Sequence, residues 1–337
     1  MSKPILQEML TYKRKPHTDS IKKFCSIYLH PVFGFPDKHG NYELIVGDNP
    51  TTVFAAHYDS VHNDNGRQNV VIRSGVARLH KNSKSNCLGA DCATGIWLIL
   101  EMIEAGIEGV YVVHAEEETG CIGSGHLVAS NPWWLSQVTA VISFDRKGQE
   151  DIITHQMGLR TASDKFAQSL AAILGMDHKA DPTGSYTDSN EYASIVPECT
   201  NLAVGYLNQH SSSEIQDLNY AAKLRNALVK ADWSKLVIDR DPETEEYLYD
   251  QTWRFHQRSP NWYGSDYYYG YDDGWTTTSL AKPYSGTDTV DDFYQVLLDY
   301  PEAMAKFLYT IYSDVDELME ELEPHGARAA INRLFRK

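Results

Sequence analysis

The period of the apolar residues changes several times along this chain, and each change marks an element. Ile5, Leu6, Met9 and Leu10 share one helical face, and Ile21, Phe24, Cys25 and Tyr28 share another, so the chain opens with two amphipathic helices. A turn at Asp37-Lys38-His39-Gly40-Asn41 leads into a strand over Tyr42–Val46. Residues 51–56 are β-branched, aromatic or small and run straight into His57. Val70–Arg73 and Val76–Leu79 flank Ser74-Gly75, the pattern of a hairpin with a two-residue turn, and 80–88 is polar and loop-like. The period then lengthens: residues 96–103 form an apolar helix that ends at Gly106. Residues 110–115 and 138–144 are continuous apolar runs of strand length. Residues 162–174 are helical, 202–206 read as a strand, and a last amphipathic helix carries Leu218, Ala221, Ala222, Leu228 and Val229.

Strands that alternate with helices predict an α/β fold: a mixed, largely parallel central sheet with helices on both faces. Past residue 235 the character shifts. Residues 247–284 collect aromatic side chains, among them Trp253, Trp262, Tyr267, Tyr268 and Tyr269, between glycines, serines and aspartates, and helices are expected from residue 291 onward. The expected organisation is a main domain over 1–235, with an aromatic loop and helical C-terminal extension over 236–337 packed on it.

Composition narrows the class. Of 337 residues, 42% are apolar and 23% charged, the balance of a soluble globular protein. No apolar run approaches the length of about eighteen residues that spans a bilayer, so no membrane association is expected. The start, MSKPILQEMLTYKRKPH, lacks the apolar stretch of a signal peptide. Cys25, Cys87, Cys92, Cys121 and Cys199 are odd in number and without paired spacing, which predicts free thiols and a cytoplasmic location. A net charge of −16 repels phosphate backbones and argues against nucleic acid as a partner. Most of that charge reads as a solvated surface; a part can be carboxylates that face bound cations.

The candidate chemistry lies at the edges of the apolar runs: His57-Tyr58-Asp59, Asp91, Glu117-Glu118, Asp145 and His210. In open α/β sheets, ligands bind beyond the carboxyl ends of the strands, and His57, Glu117-Glu118 and Asp145 fall just past the ends of the predicted strands. Each has a plain alternative. On a strand, residues two apart point the same way, so Asp59 can orient the His57 imidazole, or the two can be a strand-end histidine beside a solvated aspartate. Asp91 can cap a helix, or its two oxygens can bridge two cations about 3.5–4 Å apart. The glutamates can form an acidic surface turn with Glu116, or one can bind metal while the other handles protons. Asp145 can pair with Arg146, and a lone loop histidine such as His210 is ordinarily an exposed residue. His62, His80, His114, His126, His155 and His178 lack comparable settings and read as structural or exposed.

Taken in order, the series resembles the co-catalytic zinc exopeptidases, the group that holds leucyl-type aminopeptidases, glutamate carboxypeptidases and related deacylases. Their pattern is His-x-Asp, Gly-Ala-Asp, Glu-Glu-x-Gly-x-x-Gly-Ser, a strand-end Asp and a loop His. It is met by His57-Tyr58-Asp59, Gly89-Ala90-Asp91, Glu117 to Ser124, Asp145 and His210. Thr187-Asp188 is similar to a further Ser/Thr-Asp element. Gly120 and Gly123-Ser124 align Glu117 with the family's general base and Glu118 with its ligand, leaving Glu116 as an extra carboxylate. The resemblance implies the zinc-exopeptidase fold, a di-metal catalytic domain over 1–235, one ion on His57, Asp91 and Asp145, and a second on Asp91, Glu118 and His210. Asp59 would support the catalytic machinery. The ions would be two zincs, with cobalt or manganese as substitutes.

The intervals from His57 to Asp91 and from Asp145 to His210 are too short for an inserted domain, which points to the single-domain aminopeptidase branch. Cys92 departs from the pattern, since many relatives place a second Asp there. The implied reaction is amide hydrolysis that releases N-terminal residues from peptides, and the surplus carboxylate of Glu116 favours a free amine. Carboxypeptidase or N-acyl-amino-acid deacylase activity, or a non-catalytic partner-binding relative, are the alternatives. The partners expected are a peptide or acyl-amino-acid substrate and, where the chain self-associates, its own copies.

Overall fold

The computed structural model describes residues 6–244, 246 and 247, so the expected helical extension and the aromatic segment beyond Tyr247 lie outside the described residues. The strands are β1 (Tyr42–Val46), β2 (Thr52–His57), β3 (Val70–Arg73), β4 (Val76–Leu79), β5 (Gly109–His114), β6 (Ala140–Arg146), β7 (Asp151–Ile153), β8 (His155–Gln156), β9 (Leu159–Arg160), β10 (Lys179–Asp181), β11 (Glu198–Ala203), β12 (Tyr206–Leu207) and β13 (Ile215–Asp217). The helices are α1 (Leu6–Met9), α2 (Asp19–Tyr28), α3 (His30–Phe33), α4 (Ala90–Glu104), α5 (Ile122–Ala129), α6 (Asp164–Leu174), α7 (Asp188–Glu191) and α8 (Leu218–Lys230).

The continuous apolar runs become strands buried on both sides. Along β2, Val53 and Ala55 pack with Val110, Val112, Val141, Leu127 and Tyr192 on one face. Phe54 and Ala56 pack with Tyr111, Val113, Ile142 and Phe144 on the other, beneath α4, α6 and α8. The seven-stranded sheet runs β1-β5-β2-β6-β11-β7-β10. Its centre, β5-β2-β6-β11, is parallel, while β1 runs antiparallel to β5 and β7 antiparallel to β11. The expected α/β class, a largely parallel sheet flanked by helices, is the one observed. Register then does the positioning. His57 lies opposite His114 and Ala55 opposite Ser143, so the carboxyl ends of β2, β5 and β6 stop at one level.

A second, antiparallel sheet of order β12-β13-β4-β3 stands beside the first. Its hairpin is the one the sequence marks, with Ser74 and Gly75 both at positive φ, as a two-residue turn that matches strand twist requires. All five cysteines are free and buried. Among the described residues no helix is long and apolar enough to cross a membrane.

The structure corrects three boundaries. The strand expected over 202–206 is instead β11, from Glu198 to Ala203, followed by the separate two-residue β12. Glu198, Thr200 and Asn201 made that stretch look unlike a core strand. Each is buried with a partner: Glu198 accepts from Ser163, Thr200 donates to the Ile153 carbonyl, and Asn201 accepts from the Asp145 N–H. Strand β6 continues through Asp145 and Arg146, so Asp145 lies within the strand rather than past it, and His57 is likewise the last residue of β2. Helix α4 begins at Ala90, with Asp91 and Cys92 in non-helical conformations that set its first turn apart.

Helix α4 crosses the sheet where Gly95 comes against the end of β6. A Cβ there would meet the Phe144 carbonyl at 2.4 Å and the Cys92 Sγ at 2.6 Å. The first of these is backbone of a central strand, so the helix must move away from the sheet. Gly95→Ala is expected to lower stability by about 1–3 kcal/mol despite alanine's better helix propensity. Urea unfolding followed by circular dichroism measures this, and an unchanged or raised midpoint contradicts the close approach.

Candidate metal centre

Six of the seven side chains singled out by the sequence meet at the carboxyl edge of the central sheet, with Asp59 behind them. His57, at the end of β2, is fully buried, with Nε2 3.0 Å from Asp91 Oδ1 and 3.3 Å from Asp145 Oδ1. Glu117 Oε2 lies 3.9 Å from the same nitrogen. From the far side, His210 Nε2 is 3.2 Å from Asp91 Oδ2 and 3.1 Å from Glu118 Oε2. The two oxygens of Asp91 therefore face two different imidazoles. The carboxylates are nearly enclosed, whereas the His210 side chain is 49% exposed, so the cluster opens to solvent on its side.

Local structure explains each placement. Asp91 leaves its helix-capping alternative aside: its φ and ψ are −73° and 107°, and its carboxylate turns to the histidines. Glu117 and Glu118 start a single 3-10 turn after β5. Gly123 folds that turn back on the strand by donating its N–H to the Ala115 carbonyl at 3.1 Å. A Cβ at Gly123 would sit 2.3 Å from that carbonyl oxygen, which gives the second glycine of the Glu-Glu element a physical reason. Asp145 does not pair with Arg146, whose guanidinium goes to Asp151 and Asp181. It accepts instead from Thr187 Oγ1 at 2.8 Å, and its N–H is held by Asn201. Tyr206 donates its hydroxyl to the Asp145 carbonyl at 2.8 Å.

Two sequence expectations change in detail. Asp59 has left the strand, and its Oδ1 is 3.4 Å from His57 Nδ1, too long and poorly aimed for a hydrogen bond. Its oxygens accept from the backbone N–H groups of Glu117 and Glu118, each at 3.1 Å, so it fastens the glutamate turn to β2. Glu116 is not in the cluster. It has a positive φ of 55° and pairs with His17 at 3.1 Å, which removes the surplus carboxylate as an argument for amine binding. Asn201 and Tyr206 went unnoticed in the sequence; neither carries a local signal, because both act through strands brought alongside by the fold. Of the remaining histidines, His62, His114, His155 and His178 are buried and His126 is exposed.

The electrostatics are those of crowded acids in a dry place. Burial, and then the neighbouring Asp91, push the Glu118 carboxyl up to about 7. Burial raises Glu117 well above the ordinary carboxyl range against the pull of His57. Burial and Asp91 raise Asp145. Against its own burial, Asp91 is held low by hydrogen bonds from His210 and His57. His210, for its part, is raised to about 11 despite burial, by Asp91 and Glu118. Burial also raises Asp188 to about 8, where it accepts from Ser124 Oγ at 2.6 Å.

The donor set suits a cation. Asp91, Glu118 and His210 offer atoms within 4.8 Å of one another, as do His57, Glu117 and Glu118. Glu118 Oε1 is buried with no hydrogen-bond partner, an acceptor left free where a positive charge would satisfy it. Cys92 Sγ joins His57 and Asp145 in a third such group, but the thiol donates to the Phe144 carbonyl and burial holds its proton firmly.

The fold and the donor set resemble those of metallopeptidases. Residues 42–194 match the model of Peptidase family M28, and the likeness to the co-catalytic exopeptidases read from the motifs stands. Solved structures of similar fold include three peptidases. Aminopeptidase PepT of Bacillus cereus has 16% identity and a TM-score of 0.55, with 67% of this chain and 95% of that one covered. A tripeptidase of Staphylococcus aureus has 13% identity and a TM-score of 0.53, with 67% and 95% covered. The TET1 peptidase of Pyrococcus horikoshii, which can assemble into a tetrahedron or a large octahedral shell, has 15% identity and a TM-score of 0.51, with 68% and 100% covered. At these identities the likeness is one of fold. No curated protein matches the chain.

Beneath the cluster, two histidines are held neutral. Burial and then the charge of Arg14 lower His62 to about 3, and burial and then His57 lower His114 to about 3. An unfolded histidine takes up its proton near pH 6.5, while these wait until about 3. The unfolded chain therefore binds more protons in that window, and each residue makes stability fall as pH falls through it. NMR of the imidazole nitrogens is expected to find both neutral at pH 5; titration of either near 6.5 contradicts the burial argument.

Proposed function

We propose that this chain is a metal-dependent aminopeptidase that hydrolyses the amide bond following the N-terminal residue of a peptide. The convergence of His57, Asp91, Glu118, Asp145 and His210 around a buried, partnerless carboxylate oxygen carries the reading. His57, Asp91 and Asp145 would hold one ion and Asp91, Glu118 and His210 the other, with zinc the natural occupant of a nitrogen and oxygen donor set. Bound zinc would supply Lewis-acid polarisation of the scissile carbonyl and bring water to a reactive state near neutral pH.

The protein's own part is positioning and proton transfer. Glu117, whose Oε2 faces His57 Nε2 across 3.9 Å, is the group with reach to take a proton from the attacking water and return it to the leaving amine. Its raised affinity for a proton in this dry setting keeps both states accessible once cations balance the neighbouring carboxylates. Asp59 acts as a positioning residue, because the N–H groups it accepts belong to Glu117 and Glu118 themselves. Thr187 and Asn201 do the same for Asp145. The aminopeptidase assignment within the peptidases is supported by the Bacillus cereus aminopeptidase PepT, which shares the fold.

Glu117→Gln keeps size and shape and removes the proton acceptor. Turnover of aminoacyl substrates is expected to drop by about 10²–10⁴-fold while both ions remain bound, as read by steady-state kinetics and metal analysis. A fully active variant overturns the role. Asp91→Ala is expected to lose activity together with the rise in melting temperature that zinc confers on the metal-free wild type. Retention of that rise would mean that Asp91 does not join the two ions. Cleavage of N-acyl amino acids in preference to free aminoacyl substrates would move the protein to the deacylases.

A further inference from the structure

Two buried charged residues from distant parts of the chain hold the turn that carries Asp91. Glu214 is 1% exposed, and its carboxylate accepts four successive backbone N–H groups. Oε2 accepts from Leu88 and Gly89, each at 2.8 Å, and Oε1 from Ala90 at 2.8 Å and Asp91 at 3.2 Å. Arg14, fully buried, takes the carbonyls of the same turn: Nη2 donates to Gly89 at 2.8 Å and to Asp91 at 3.0 Å. Its Nε donates at 2.9 Å to the carbonyl of Tyr58, between His57 and Asp59. Charge-assisted bonds to consecutive peptide groups fix the dihedral angles of the turn, and with them the direction of the Asp91 side chain.

The place of Glu214 in the chain adds a second role. It closes the loop between β12 and β13 whose outer part carries His210. That loop is otherwise held by small residues: Ser211 Oγ donates to the Asn208 carbonyl at 2.7 Å, and the Glu214 N–H to the Ser211 carbonyl at 3.0 Å. Asn208 and His210 both have positive φ, 58° and 61°, a conformation that side-chain-bearing residues keep only when surroundings impose it. Glu214 thus ties the loop of His210 to the turn of Asp91, and Asp91 Oδ2 and His210 Nε2 face each other across 3.2 Å.

We propose that Glu214 and Arg14 are a positioning pair that sets the spacing of Asp91 and His210, so that the Asp91, Glu118 and His210 group is ready for its cation before the cation arrives. The proposal rests on the metal-site reading above. In Glu214→Gln the shape is kept, but an amide NH₂ faces two of the four backbone donors and leaves them unpaired. In Glu214→Asp the charge is kept and the reach is lost.

The test is zinc titration of the metal-free full chain by calorimetry, with cobalt(II) absorption as a signature of the coordination. In Glu214→Gln one binding step is expected to stay near wild type while the other weakens by about 10–100-fold, with a changed cobalt spectrum. Glu214→Asp should show a smaller change of the same kind. Wild-type affinity for both ions with an unchanged spectrum, in a folded Glu214→Gln protein, overturns the proposal. Should that variant fail to fold, amide exchange on the metal-free wild type decides: residues 88–91 are expected to be among the slow exchangers, and exchange at the rate of an open loop overturns the pairing. Wild type that binds no metal would defeat the function proposed above, while the exchange measurement tests the clamp by itself.

Discussion

Carboxylates that share a small, poorly hydrated volume repel one another more strongly than they would in water, and everything at this sheet edge answers to that repulsion. Asp91, Glu117, Glu118 and Asp145 lie around His57, with Asp59 and Asp188 close behind. Asp91 and Glu118 hold the proton on His210, while burial, against the pull of the imidazoles, makes Glu117 and Glu118 reluctant to ionise. A pair of divalent cations would invert this balance, turning each costly acid into a ligand.

The parallel sheet makes such crowding attainable without a flexible site. Strands in register deliver His57, the glutamate turn and Asp145 to one level. The apolar residues that alternate to either side of β2, β5 and β6 anchor them from below. Above that rigid floor, the acidic side chains are aimed by backbone hydrogen bonds more than by each other. Asp59 grips two consecutive N–H groups of the glutamate turn, Asn201 takes the N–H of Asp145, and Glu214 takes those of the Asp91 turn. Among the described residues, the cluster is exposed on the His210 side.

Much of the framework was legible because a strand buried on both faces must be apolar throughout. That rule marked β2, β5 and the body of β6, and the left-handed pair Ser74-Gly75 marked the hairpin of β3 and β4. It failed at β11, where Glu198, Thr200 and Asn201 are buried in a central strand because other segments supply their partners. The short β7 and β10 have too few residues for any period to show. Within the site, the glycines after Glu117-Glu118 separated these two from Glu116, and the structure turns Glu116 away to His17. The same glycine pattern gave no hint of Arg14 or Glu214.

Residue order and local pattern by themselves determined the α/β class and which side chains could do chemistry. Both are properties of neighbours in the chain: side-chain period, turn conformation and the apolar run that precedes a polar group. Tertiary structure alone decided which oxygens face which nitrogens, that Asp59 fastens backbone rather than the His57 ring, and that distant Arg14 and Glu214 close on one turn. Those outcomes depend on strand register and on which segments the core brings side by side. No stretch of sequence contains that information, because Arg14, Glu214 and Asn201 reach groups dozens to more than a hundred residues away.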